Sequence, residues 1–120
     1  MNSIYEQYGE KVEFLCVYIR EAHPEDEWQS PANVEKGIVF NQPRSEQERA
    51  SAAESCVLGL NLKIPMALDD MSNTVDEAYI ALPDRLYVID AEGRIIYRSE
   101  QGPFGFDVDA WERAIENIVQ

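Results

Sequence analysis

Apolar residues along the chain fall into short runs whose period changes from one run to the next, and those changes predict the order of the elements. Ile4, Tyr5 and Tyr8 share one helical face over residues 2 to 8, with Gly9 placed to stop the helix. Val12 to Ile19 is rich in β-branched and aromatic residues with almost no polar alternation, the pattern of a strand buried on both faces of a parallel sheet. An irregular stretch through Pro31, Asn33, Gly37 and Pro43 follows, long enough to point to function or an ordered surface loop. Ser45-Glu-Gln-Glu48 then reads as a capping box, with Ala50, Ala53, Val57 and Leu58 at helical spacing and Gly59 as the stop.

Ile64 to Leu68 is a short second strand, joined to the first by a right-handed crossover, and Asp69 and Asp70 end it. Thr74-Val-Asp-Glu77 reads as another capping box, opening a helix that turns Val75, Ala78, Tyr79 and Leu82 to the core before Pro83 closes it. Arg85 to Asp90 and Arg94 to Ser99 alternate as strands and pair antiparallel, with Gly93 in the left-handed position of the hairpin Asp90-Ala-Glu-Gly93. Gly102-Pro-Phe-Gly105 is a turn and Asp107 caps a last helix. Val108, Trp111, Ile115 and Ile118 mark the buried stripe of that helix, and Tyr87, Tyr97 and Trp111 read as core rather than ligand-stacking aromatics.

At 120 residues and 45% apolar content the chain suits one domain, 1–120, and is too short for two cores. No apolar run approaches the roughly 20 residues of a membrane helix. No basic, apolar leader precedes the first strand, so the expectation is a soluble, cytoplasmic bacterial protein. A formal charge of −13 argues against nucleic acid and anionic membrane surfaces as partners, because phosphates demand a basic face. Cys16 and Cys56 form neither a Cys-x-x-Cys pair nor a zinc pattern, so no structural disulfide is indicated and both read as small apolar fillers. A resolving-thiol role for Cys56 finds no neighbouring cation to lower its pKa. One histidine with scattered carboxylates gives no metal spacing, and no cofactor is expected.

The first strand ends in Glu21-Ala-His-Pro-Glu-Asp-Glu-Trp28, a cluster of titratable groups carrying the only histidine. Ligands of open α/β sheets bind just outside the carboxyl ends of the strands, so this loop is the first place to look for chemistry. A histidine there also serves commonly as a loop hydrogen-bonding residue. The wording Tyr18-Ile-Arg-Glu-Ala-His-Pro-Glu-Asp-Glu-Trp28 resembles the strand and loop of the iodothyronine deiodinase family, a branch of the thioredoxin-like proteins. Similar wording recurs in order in Glu48-Arg-Ala50, Ile64-Pro65, Leu82-Pro-Asp-Arg-Leu-Tyr87, Gly93-Arg-Ile95 and Gly102-Pro103.

The resemblance implies an α/β, thioredoxin-like (peroxiredoxin/TlpA-type) mixed sheet flanked by helices, missing the N-terminal strand that bears the nucleophile. That strand belongs between 12–19 and 84–90, and its absence would expose strand edges through which a homodimer could form. The resemblance further implies reductive dehalogenation or thiol-dependent redox chemistry on a small aromatic or halogenated substrate, with a thiol reductant. Glu21 and His23 would flank the nucleophile, the histidine binding or protonating substrate and the carboxylate orienting it. Asp84 matches an acidic position beside the same cleft. Pro83 falls where thioredoxin-like proteins commonly place a cis-proline, against the trans form expected of any proline. Neither cysteine stands where the family's Cys or selenocysteine nucleophile belongs, so the chain as given is expected to be inactive. The alternative is a redox-dead thioredoxin-like binding module. Asn41-Gln-Pro43 also stands where animal deiodinases carry another histidine, which leaves a full proton relay incomplete.

Overall fold

The computed structural model describes residues 1–20 and 44–120. Among them run α1 (Asn2–Tyr8), β1 (Cys16–Tyr18), α2 (Glu46–Leu60), β2 (Met66–Leu68), α3 (Thr74–Tyr79), β3 (Tyr87–Ile89), β4 (Ile95–Arg98) and α4 (Val108–Val119). β1 and β2 pair in parallel with Cys16 opposite Met66 and Tyr18 opposite Leu68, and β3 and β4 pair antiparallel with Tyr87 opposite Arg98. The two ladders remain separate two-stranded sheets.

One apolar cluster joins them. Ile4 and Tyr8 of α1, Phe14, Ile64, Leu86, Val88 and Trp111 and Ile115 of α4 form a single core. Phe14 meets the rings of Tyr5 and Trp111 edge-on, at centroid distances of 5.4 and 5.7 Å. Trp111 also reaches the free edge of β3. Leu86 gives its carbonyl to the Ser99 N–H, so by the alternation of an antiparallel ladder Tyr87 presents its carbonyl away from β4. The Trp111 indole donates to that carbonyl at 3.0 Å, satisfying a backbone group that the next strand would otherwise take.

Several local expectations hold. Ser45 Oγ accepts from the Glu48 N–H at 3.1 Å, while Glu48 reaches back to the Arg44 N–H at 2.6 Å. Asp107 Oδ1 accepts from the Ala110 N–H at 3.0 Å, and Trp111 and Ile115 are buried on the face that the stripe requires. Gly93 sits at φ +84° in the hairpin turn, with Asp90 Oδ1 accepting from the Glu92 and Arg94 N–H groups. Both Leu82–Pro83 and Gly102–Pro103 are cis.

Others are corrected. The predicted strand 12–19 is a ladder of only three half-buried residues, and Leu15 is 64% exposed, because among the described residues β1 has a paired neighbour on one side only. The 2–8 helix does end at Gly9, whose backbone is right-handed. Glycine is needed there for space, since a Cβ would lie 2.6 Å from the Tyr5 carbonyl oxygen. Gly59 does not stop α2. The helix runs past it to Asn61, which takes the left-handed position at φ 51°, and Ala50 and Leu58 face solvent while Arg49, Ala52 and Ala53 are buried. In α3, Thr74 lies inside the helix, Asn73 precedes it without a side-chain cap, and Ala78 is exposed while Asp76 is buried. The irregular stretch around Pro31 lies outside the described residues.

Asp107→Ala should cost about 1 kcal/mol, the usual worth of an N-cap. Ile115→Ala, at a side chain 1% exposed, should cost about 2–5 kcal/mol. Urea unfolding followed by circular dichroism measures both.

Candidate functional site

The carboxyl ends of β1 and β2 gather most of the buried polar chemistry among the described residues. Asp69, 3% exposed, closes β2 and spends its carboxylate on backbone donors: Oδ1 accepts from Asp70 and Val75 N–H and Oδ2 from Asp76 N–H, each at 2.9 Å. Asp70 Oδ1 accepts from Thr74 N–H at 2.9 Å and Oδ2 from the Thr74 hydroxyl at 2.6 Å. The two aspartates thus take the first N–H groups of α3, the task assigned from sequence to Thr74 and Glu77. Their reading as a strand-terminating pair understated them.

Arg49 of α2 is the buried cation among the described residues of this region. It is 2% exposed, and its Nη1 donates to the carbonyls of Asp69 and Asp70 at 3.2 and 2.6 Å while Nη2 donates to Asn73 Oδ1 at 3.1 Å. With Glu46, Leu68, Asp69 and Asp70 it lines an open cavity of about 280 Å³. Four buried polar atoms among the described residues lack a hydrogen-bond partner: Tyr18 Oη, Arg20 Nε, Arg49 Nε and Asp76 Oδ2. All belong to β1, its exit, or the elements packed against the end of β2.

Glu21 and His23 follow Arg20 directly in the chain and lie outside the described residues. Asp84, the third candidate, is described. It is exposed as a residue, yet its carboxyl lies over Gly102, where a Cβ would meet Asp84 Oδ1 at 1.6 Å. Burial of the carboxyl raises its pKa above the ordinary 3.8, partly opposed by the Gly102 N–H. The segment around it is laced to the turn that follows β4: Gln101 Nε2 donates to the Leu82 carbonyl at 2.6 Å and Gly102 N–H to the Asp84 carbonyl at 3.0 Å. Arg85 Nε donates to the Ser99 carbonyl at 2.8 Å and Nη1 to the Ile80 carbonyl at 3.1 Å.

Cys16 carries a thiol pushed up first by burial and then by the charge Cys56 would bear, so it stays protonated near neutral pH. Among the described residues no three His, Cys, Asp or Glu side chains converge to hold a metal ion. No helix among them is long and apolar enough to cross a membrane.

Sequence reasoning missed Arg49, Asp69 and Asp76. The signal for Asp69 was present in a carboxylate just before a short helix that lacks a good cap of its own. Arg49 and Asp76 left no local signal, because a charged residue on a helix reads as solvated.

The frame is therefore a mixed α/β domain whose polar groups collect where two parallel strands end. The sequence model of the iodothyronine deiodinase family matches residues 1–118. The chain is 37% identical to the type I iodothyronine deiodinase of Xenopus laevis over 105 residues, 88% of this chain and 39% of that protein. It is 39% identical to the thyroxine 5-deiodinase of Rattus norvegicus and 38% to that of Homo sapiens, each over 102 residues, 85% of this chain and 32% of the relative. The chain belongs to the iodothyronine deiodinase family. It spans about a third of the length of these vertebrate relatives.

Opposite pH dependences should appear at the two ends of the site. Hydrogen bonds from the Thr74 side chain and backbone hold Asp70 below its ordinary 3.8, so its stabilisation is present above that value and lost as pH falls through the folded-state pKa. The raised value at Asp84 works the other way, ionisation costing stability as pH rises from 3.8 through the folded-state pKa. Urea unfolding at about pH 7 and about pH 3 should show Asp84→Asn relatively stabilising at the higher pH, and Asp70→Asn more destabilising at the higher pH than at the lower.

Proposed function

We propose that this chain is the cleft-framing part of a deiodinase-type reductive dehalogenase, built on a thioredoxin-like (peroxiredoxin/TlpA-type) fold, and that the 120 residues alone do not turn over substrate. The observation that carries the reading is the family match across residues 1–118. The reaction replaces an aryl carbon–iodine bond with a carbon–hydrogen bond. Two thiols supply the electrons and join as a disulfide, one proton goes to the ring carbon, and iodide leaves with the other. An activated thiolate or selenolate must take up the iodine. Cys16 is a buried, raised-pKa thiol on a strand, which suits packing better than attack. The nucleophile is then supplied from outside this sequence.

In this reading His23 holds the proton delivered to carbon, Glu21 orients it, and Asp84 is a second acid at the cleft. The raised pKa of Asp84 supports a proton-holding role. The split sheet supports the fold assignment, because a strand placed between β1 and β3 would join the two ladders into one. An upstream strand fills that slot, or a second copy lends one and makes a homodimer. The protein works in the cytoplasm with a small aromatic or halogenated substrate and a thiol reductant, and needs neither nucleic acid nor membrane. The raised Cys16 pKa equally favours a second reading, a redox-dead module that keeps the cleft for binding.

The 120-residue chain incubated with thyroxine and dithiothreitol should release no iodide. Release that disappears on Cys16→Ser or Cys56→Ser would refute the assignment of both thiols to packing. Supplying a strand upstream of α1 should raise the melting midpoint by about 4–8 °C for each kcal/mol gained. An extended chain no more stable than the short one would refute the slot.

A further inference from the structure

Asp76 stands out among the buried charges. It is the third residue of α3, where a carboxylate ordinarily turns back to cap its own helix, yet Asp69 and Asp70 already take those N–H groups. Its side chain, 3% exposed, turns to two other parts of the chain. Oδ1 accepts from the Leu82 N–H at 3.1 Å, immediately before cis-Pro83 and Asp84. Oδ2 lies 2.8 Å from Arg20 Nε, at the exit of β1. The Arg20 N–H is not directed along that contact, so charge rather than a hydrogen bond holds the pair. The Asp76 backbone is fixed as well, its N–H donating to Asp69 at 2.9 Å and its carbonyl accepting from Ala81 at 3.0 Å.

We propose that Asp76 is a positioning residue whose single buried carboxylate holds the exit of β1 and the Leu82–Pro83–Asp84 segment in fixed relation. The inference rests on the deiodinase-type reading, which places candidate site residues directly after Arg20 and at Asp84. A helix-capping role would not require Arg20, and a solvent-side ion pair would not bury the carboxylate. One anion tying two segments 62 residues apart in sequence is the arrangement that keeps two halves of a cleft in register while the two ladders beside it stay separate.

The test is spectroscopic and needs no turnover. Asp76→Asn keeps an acceptor for the Leu82 N–H and removes the charge facing Arg20, while Arg20→Gln removes the partner from the more exposed side, where its own side chain is 41% accessible. In heteronuclear NMR spectra of the folded chain, Arg20→Gln should move the amide signals of Leu82, Asp84 and Gly102, and Asp76→Asn should move the same signals. Once Asp76 is Asn, adding Arg20→Gln should move them no further. Arg20→Lys, which keeps the charge, should retain the wild-type positions. The imidazole of His23, the only one in the chain, gives one pair of ring C–H signals, and these should move with either variant. Variants that lower the melting midpoint but leave these signals in place would reduce Asp76 to a structural prop and overturn the proposal. Should Asp76→Asn fail to fold, Arg20→Gln alone decides between the two outcomes. Coupling seen in these spectra without dehalogenation by the nucleophile-bearing full protein would refute the functional reading and leave the positioning role standing.

Discussion

The fold depends on the contact of Trp111 with Phe14 and Tyr87, because no backbone ladder connects the two halves of the described structure. Parallel strands end on one side and an antiparallel hairpin begins on the other. Between them the indole packs edge-on against Phe14 and gives its N–H to the outward carbonyl of Tyr87. One side chain thereby contributes apolar area to the shared core and answers a polar group that would be costly to bury unpaired. α1 is drawn into the same core through Ile4, Tyr5 and Tyr8, and Tyr8 Oη closes onto Glu116 of α4 at 3.0 Å.

Around the ends of β1 and β2 the organising force is different. Asp76 pairs with the half-exposed Arg20 there, but the other buried charges, Asp69 and Arg49, are satisfied mainly by backbone and amide groups. Asp69 takes three backbone donors, and Arg49 gives its protons mainly to carbonyls and an asparagine. This division suits a low-dielectric setting, since a charge satisfied by several fixed dipoles needs no equally buried counter-ion. It also ties the end of β2 to the start of α3 through several backbone donors. Beside that junction, burial keeps the Cys16 thiol protonated near neutral pH.

Legibility followed the range of the interaction. Ser45, Asp107 and Gly93 act within four residues of themselves, and each takes the role that its type and spacing predict. The stripe Trp111–Ile115 and the parallel and antiparallel pairings were legible for the same reason, since period and turn chemistry are local records of burial. Of the candidate site residues, Asp84 lies beside Gly102 with a raised pKa, while Glu21 and His23 fall outside the described residues. Arg49, which bonds to residues 20 to 24 positions away, could not be told from a solvated helix arginine.

The sequence by itself determined the order and type of the elements, the caps that start α2 and α4, the hairpin, and membership of the iodothyronine deiodinase family. Tertiary structure alone decided where α2 stops, which residues cap α3, that β1 is short and half-covered, and that Asp76 faces inward. The reason is physical. Caps, turns and periodicity are settled by the chain within a few residues of itself, whereas the fate of a charged side chain depends on which distant backbone groups the fold brings to it.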